Sequence, residues 1–149
     1  MRQVHCQIKH DPDNGTYGDC MRACVASIME FAPERVPHFM HDNCSPAEAN
    51  RRMVDWLRHY GYAPFVISCG GEDTMADILS YMGDQNPTAC YMLFGRTEYE
   101  NHVVVCRGGE MVHDPAWLSS PLIYPNGYSK PEIGPPWQGA WAIMVIARS

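Results

Sequence analysis

Apolar positions along the chain follow helical spacing mainly in the first half and alternation in the second. Val4, Cys6 and Ile8 alternate weakly, which predicts a short edge strand within residues 1–10 ahead of the turn-forming Asp11-Pro-Asp-Asn14-Gly. Cys24, Val25, Ile28 and Met29 repeat with helical spacing and predict a helix from about Asp19 to Phe31, stopped before Pro33. Ser45-Pro46-Ala47-Glu48 is a helix start, with a capping serine, proline at the first helical position and glutamate three residues after the cap. Ala49, Met53, Trp56, Leu57 and Tyr60 then mark one apolar face, and Gly61 ends it. A strand over Ala63 to Cys69, a turn at Gly70-Gly71 and a third helix over Thr74 to Met82 follow, with Met75, Ile78, Leu79 and Met82 inward. Thr88 to Phe94, His102 to Cys106, Glu110 to His113 and Ala140 to Ala147 read as strands, the middle two forming a hairpin. Residues 121–137, rich in Pro, Gly and Tyr, predict irregular chain. Helices first and strands last indicate an α+β fold, the helices packed on a mostly antiparallel sheet.

Length and charge narrow the class. A chain of 149 residues suits a single domain, 1–149, whose core is large enough to fold without metal or disulfide. A formal net charge of −6 without a basic stripe argues against nucleic acid or an anionic membrane as the main partner. No apolar run approaches the ~20 residues that span a bilayer. Seven cysteines with no paired spacing, and an N-terminus without an apolar signal core, make a reducing cytoplasm the expected location.

Candidate chemistry centres on Cys20. The flexible Asn14-Gly-Thr-Tyr-Gly-Asp19 delivers it to the first turn of a helix, where unpaired N–H groups favour a thiolate and offer donors to an oxyanion. A buried structural cysteine is the ordinary alternative. What favours chemistry is the later hairpin, which starts with His102 and ends at Asp114. The ends of a hairpin lie close together, and a carboxylate beside an imidazole fixes the tautomer that a general base for Cys20 needs. Register decides the matter. A three-residue loop, Arg107 to Gly109, puts His102 and Asp114 on one face, whereas a two-residue loop, Gly108-Gly109, puts His113 there instead. The odd loop is expected, with His113 the second-choice base.

The order of these groups resembles the papain-like cysteine peptidase superfamily, most closely the compact bacterial double-glycine, bacteriocin-processing branch. The matching features are Asn14, Asp19-Cys20, the helices at 45–60 and 74–82, His102-Val-Val-Val, and Val112-His-Asp114-Pro115, covering roughly residues 8–118. The resemblance implies that His102 takes the proton of Cys20, the thiolate attacks a peptide or isopeptide carbonyl, Asp114 orients His102, and Asn14 with the Cys20 N–H holds the oxyanion. It implies a protein or peptide substrate, cleavage after small residues such as glycine, and no cofactor. Deamidation, transamidation and removal of ubiquitin-like modifiers use the same triad. Two departures stand out. The family usually has glutamine where Asn14 stands, and glycine where Met21 follows the cysteine.

Other groups are weighed beside that site. Asp19 raises the thiol pKa unless its carboxylate turns away to cap the helix. Cys24, one turn beyond Cys20, reads as packing, with a resolving thiol as the lesser alternative. His38, His41 and Cys44 at three-residue intervals are zinc-type ligands without a fourth partner or a Cys-x-x-Cys pair, so no metal is expected and a small zinc protein stays an alternative. A peptidase-like binding module that has lost turnover is the other, suggested by Asn14 and Met21. The aromatic segment Trp117, Tyr124, Tyr128 and Trp137 is a candidate groove lining or a surface loop pinned by its rings.

Overall fold

A computed structural model describes residues 1–70, 72–117, 121–122, 124–125 and 139–149. It is an α+β protein whose chain divides into two compact units. The first comprises residues 1–65, 115–117 and 146–149; the second comprises residues 66–114 and the described part of 118–145.

In the first unit, a 3-10 turn (Pro12–Asn14) precedes helix α1 (Cys20–Met29), and a second 3-10 turn (Pro33–Arg35) precedes helix α2 (Pro46–Arg58). Helix α1 buries Ala23, Cys24, Val25, Ala26 and Ser27 and ends at Glu30, whose φ of 57° turns the chain out of the helix. Helix α2 begins as its sequence dictates. The Ser45 hydroxyl accepts from the Glu48 N–H at 3.2 Å, Pro46 fills the first turn, and Ala49, Met53 and Leu57 are buried. Trp56 is half-buried among Phe31, Phe39 and Tyr60, with ring centroids 6.0, 6.2 and 4.8 Å away.

The expected strand within residues 1–10 does not form. Its backbone donors go elsewhere: Val4 N–H to the Ser27 hydroxyl at 3.0 Å, Cys6 N–H to the Pro115 carbonyl at 2.8 Å, and Gln7 and Ile8 N–H to the Asp19 carboxylate. Donors satisfied by helix and loop groups are not available to a ladder.

The sheet runs β1 (Tyr62–Gly70), β6 (Ala140–Arg148), β2 (Cys90–Arg96), β3 (Asn101–Arg107), β4 (Glu110–His113), with β5 (Tyr124–Pro125) also on β2. The β2–β3, β3–β4, β2–β5 and β2–β6 pairings are antiparallel. Tyr124-Pro125 thus corrects the expectation of a wholly irregular 121–137; residues 126–138, with Tyr128 and Trp137, lie outside the described residues, as does Gly71 of the predicted turn.

Helix α3 (Met75–Gln85) starts with a closed capping box between Thr74 and Asp77. Its buried Ile78 and Met82 join Tyr91 and Leu93 of β2, Val104 and Cys106 of β3, and Trp141 and Ile143 of β6 in one cluster. These strand residues alternate along their chains, as one face of a pleated sheet requires. Met75 and Leu79 pack on the edge of that cluster. Gly95 leaves room for it: a Cβ there would sit 2.4 Å from the Trp141 ring, which is fully buried and donates through Nε1 to the Asp73 carbonyl at 2.8 Å. Among the described residues no helix is long and apolar enough to cross a membrane.

Candidate active site

The second unit brings His102 and Asp114 together. A tight turn at Thr97–Glu100 joins β2 to β3: Thr97 N–H donates to the Glu100 carbonyl at 2.8 Å, and the Thr97 hydroxyl accepts from Tyr99 and Glu100 N–H. The turn sets His102 second in β3, opposite Gly95. At the other end, Arg107 pairs with Glu110, so the loop is Gly108-Gly109 and holds two residues, not three. With regular pairing, that loop would have faced His113 toward His102's side.

A β-bulge prevents this. Cys106 pairs with Met111, but Val105 pairs with His113, so Val112 is extra on β4. One added residue shifts the parity of everything beyond it, and Asp114 returns to the face of Val104 and His102. The side chains meet: His102 Nε2 donates to Asp114 Oδ1 at 2.8 Å, with both side chains largely shielded from solvent. The expected pairing of His102 with Asp114 therefore stands on a different backbone device from the odd loop proposed for it. His113 is buried opposite Val105.

The first unit holds Cys20 as the opening residue of α1, half-buried. Asp19 occupies the cap position but makes no side-chain cap bond. Its carboxylate, 2% exposed as a residue, accepts from Gln7 N–H at 3.0 Å and Ile8 N–H at 3.1 Å and lies 3.6 Å from the Arg22 guanidinium. Three donors thus compensate a charge that would otherwise oppose a neighbouring thiolate. Arg22 is itself held by two bonds to the Pro33 carbonyl, at 3.0 and 2.9 Å.

The same docking seats Cys6 on Cys20, with their sulfurs 3.2 Å apart. All seven cysteines are thiols rather than disulfides. The bond to Cys20 and burial push the Cys6 thiol far above its usual range, so Cys6 stays protonated and donates S–H toward the Cys20 sulfur. Sequence reading assigned Cys6 to an edge strand. Its partnership with Cys20, fourteen residues on, has no local signature. The Cys6 backbone is fixed on both sides, by N–H to the Pro115 carbonyl and by its carbonyl, which accepts from Trp117 Nε1 at 2.9 Å. The Trp117 ring stacks on His5 with centroids 4.0 Å apart.

Asn14 is exposed at the end of the first 3-10 turn, and its amide donates to Asp11 Oδ2 at 2.7 Å. Gln7 is a second carboxamide, fastened by its backbone to Asp19, the residue before Cys20. Sequence spacing does not single it out, because thirteen positions separate it from the cysteine. Of the metal-type residues, His38 Nε2 bonds the Tyr17 carbonyl at 2.7 Å and Cys44 Sγ the Phe39 carbonyl at 3.4 Å. Among the described residues no group of three or more His, Cys, Asp or Glu has a metal-holding arrangement.

Compared with known proteins, the chain matches no described family, no curated protein and no solved structure.

Proposed function

We propose that the protein is a papain-like thiol hydrolase that cleaves a peptide or isopeptide bond through an acyl-thioester on Cys20, with His102 as base and Asp114 as its orienting partner. The observation that carries this is the 2.8 Å bond from His102 Nε2 to Asp114 Oδ1. It commits Nε2–H to a carboxylate, which leaves Nδ1 as the basic nitrogen and supports the imidazolium formed when that nitrogen takes a proton. The position of Cys20 on the first turn of α1 and the compensation of Asp19 add to it.

In this mechanism His102 Nδ1 accepts the Cys20 proton and the thiolate attacks the carbonyl carbon. The tetrahedral oxyanion is held by the Cys20 N–H and a carboxamide. Collapse expels the amine, protonated by His102, and water then opens the thioester with His102 again as base. The carboxamide expected from the resemblance is Asn14, which must leave Asp11 to serve. Gln7 carries the side chain that the family normally uses, so the donor is assigned to Gln7, with Asn14 as the alternative that substitution separates. The proposed substrate is a protein or peptide and the proposed setting a reducing cytoplasm, in keeping with seven thiols.

Iodoacetamide labelling followed by tryptic mass spectrometry tests the nucleophile. Cys20 should be alkylated well ahead of the other six cysteines, and His102→Ala should slow it by about tenfold or more. Indiscriminate labelling, unchanged in His102→Ala, would favour a binding module without turnover.

A further inference from the structure

We propose that Cys6 and Cys20 form a reversible redox pair, in which hydrogen peroxide converts Cys20 to a sulfenic acid and Cys6 resolves it as a disulfide. The geometry lies wholly in the first unit. The sulfurs are 3.2 Å apart, so a bond of ~2.05 Å needs a closure of about 1 Å, within the reach of two side-chain rotations. Both residues are half-buried, open enough for a small peroxide. Cys6 is held in place by backbone bonds to Pro115 and Trp117 and by its neighbour Gln7 on Asp19. Cys24, the resolving thiol that helical spacing suggests, is fully buried within α1.

The chemistry balances without a further reactant. The Cys20 thiolate attacks one peroxide oxygen; an S–O bond forms, the O–O bond breaks and hydroxide leaves, taking up the proton that Cys20 gave up to become a water molecule. The Cys6 sulfur then attacks the Cys20 sulfur, its proton passes to the departing hydroxide, and the S–S bond replaces the S–O bond with loss of a second water. Overall, two thiols and one hydrogen peroxide give a disulfide and two waters, the thiols being oxidised and the peroxide reduced.

The order of events follows from the resting contact. The largest influence holding Cys6 protonated is its bond to Cys20. Oxidation of Cys20 replaces that resting S–H···S contact, so the sulfur that held the Cys6 proton becomes the sulfur that Cys6 attacks. A pair built this way is inert until its partner is oxidised. The inference takes from the proposed function only a nucleophilic Cys20; it does not require hydrolase activity.

Trypsin separates the three sulfurs, placing Cys6 in residues 3–9, Cys20 in 10–22 and Cys24 in 23–35. The purified full chain is treated with hydrogen peroxide at one equivalent, blocked with iodoacetamide and digested without reductant. The expected product is peptide 3–9 joined to 10–22, two hydrogens lighter than the two thiol peptides and released by dithiothreitol. In Cys6→Ser, checked for folding by circular dichroism, that product disappears and, with a second equivalent of peroxide, peptide 10–22 gains two oxygens that fragment masses place on Cys20 as sulfinate rather than on Met21. A link from 10–22 to 23–35, a Cys20 left as thiol, or sulfinate formed equally fast with and without Cys6 would each overturn the pair. Because the readout is mass, its failure is distinct from a failure of the hydrolase to turn over.

Discussion

At the scale of single residues, Asp19 links the local structure of the first unit to its chemistry. Its buried carboxylate anchors Gln7 and Ile8 and thereby presents Cys6 to Cys20. Asp19→Ala strips both N–H groups and Arg22 of their acceptor, and should cost about 3 kcal/mol in urea unfolding. The Cys6–Cys20 contact should go with it, so peroxide should no longer join peptides 3–9 and 10–22. From sequence, Asp19 opposes a thiolate at Cys20 unless its carboxylate turns away to cap the helix. Its carboxylate makes no cap bond and accepts instead from Gln7 and Ile8, partners the sequence could not show because side-chain to backbone bonds at separations of 12 and 11 leave no periodic trace. The proposed oxyanion donor belongs to the same scale. Gln7→Ala should lower kcat by about 10²–10³, the usual loss of one such donor, whereas Asn14→Ala should change it less than about threefold. The reverse ranking, measured on any peptide the protein is found to cleave, would return the proposed role to Asn14.

At the scale of elements, the β3–β4 hairpin and its bulge set the His102–Asp114 pair. Gly108 has a φ of +51°, and a Cβ there would lie 2.3 Å from the Pro87 carbonyl oxygen; its own carbonyl accepts from the buried Tyr91 hydroxyl at 2.7 Å. Gly108→Ala should therefore cost about 3 kcal/mol or more in thermal or urea unfolding. Partial function in survivors should be tracked by His102 chemistry, since the turn fixes the register from which the bulge departs. The short β-branched run Val103 to Val105 after His102 made the strand legible, and Asp114-Pro115 marked its partner's end. The loop length and the bulge did not show, because Val112 carries no feature that distinguishes an extra residue from a paired one. Helices α2 and α3 were legible to within a few residues: Ser45-Pro46 with Glu48 is a local cap whose bond forms as expected, and the helical spacing of Met75, Ile78, Leu79 and Met82 marked the second. The N-terminal strand failed because its alternation is only three residues long and stronger acceptors were present in Ser27, Asp19 and Pro115.

At the scale of the whole molecule, the α+β class followed from the distribution of periods along the chain, and the antiparallel sheet with α3 on its Tyr91–Leu93 face realises it. Papain-like chemistry further requires that the thiol of the first unit and the His102–Asp114 pair of the second act on one carbonyl. The most direct measurement is the pH dependence of Cys20 alkylation, read from tryptic peptide 10–22. A thiolate sustained by His102 predicts a rate that has already risen by about pH 6 and stays nearly flat to pH 8, with His102→Ala restoring a rise centred near the ordinary thiol value of about 8.5. A single rise near 8.5 in the wild type, unaltered in His102→Ala, would contradict the triad.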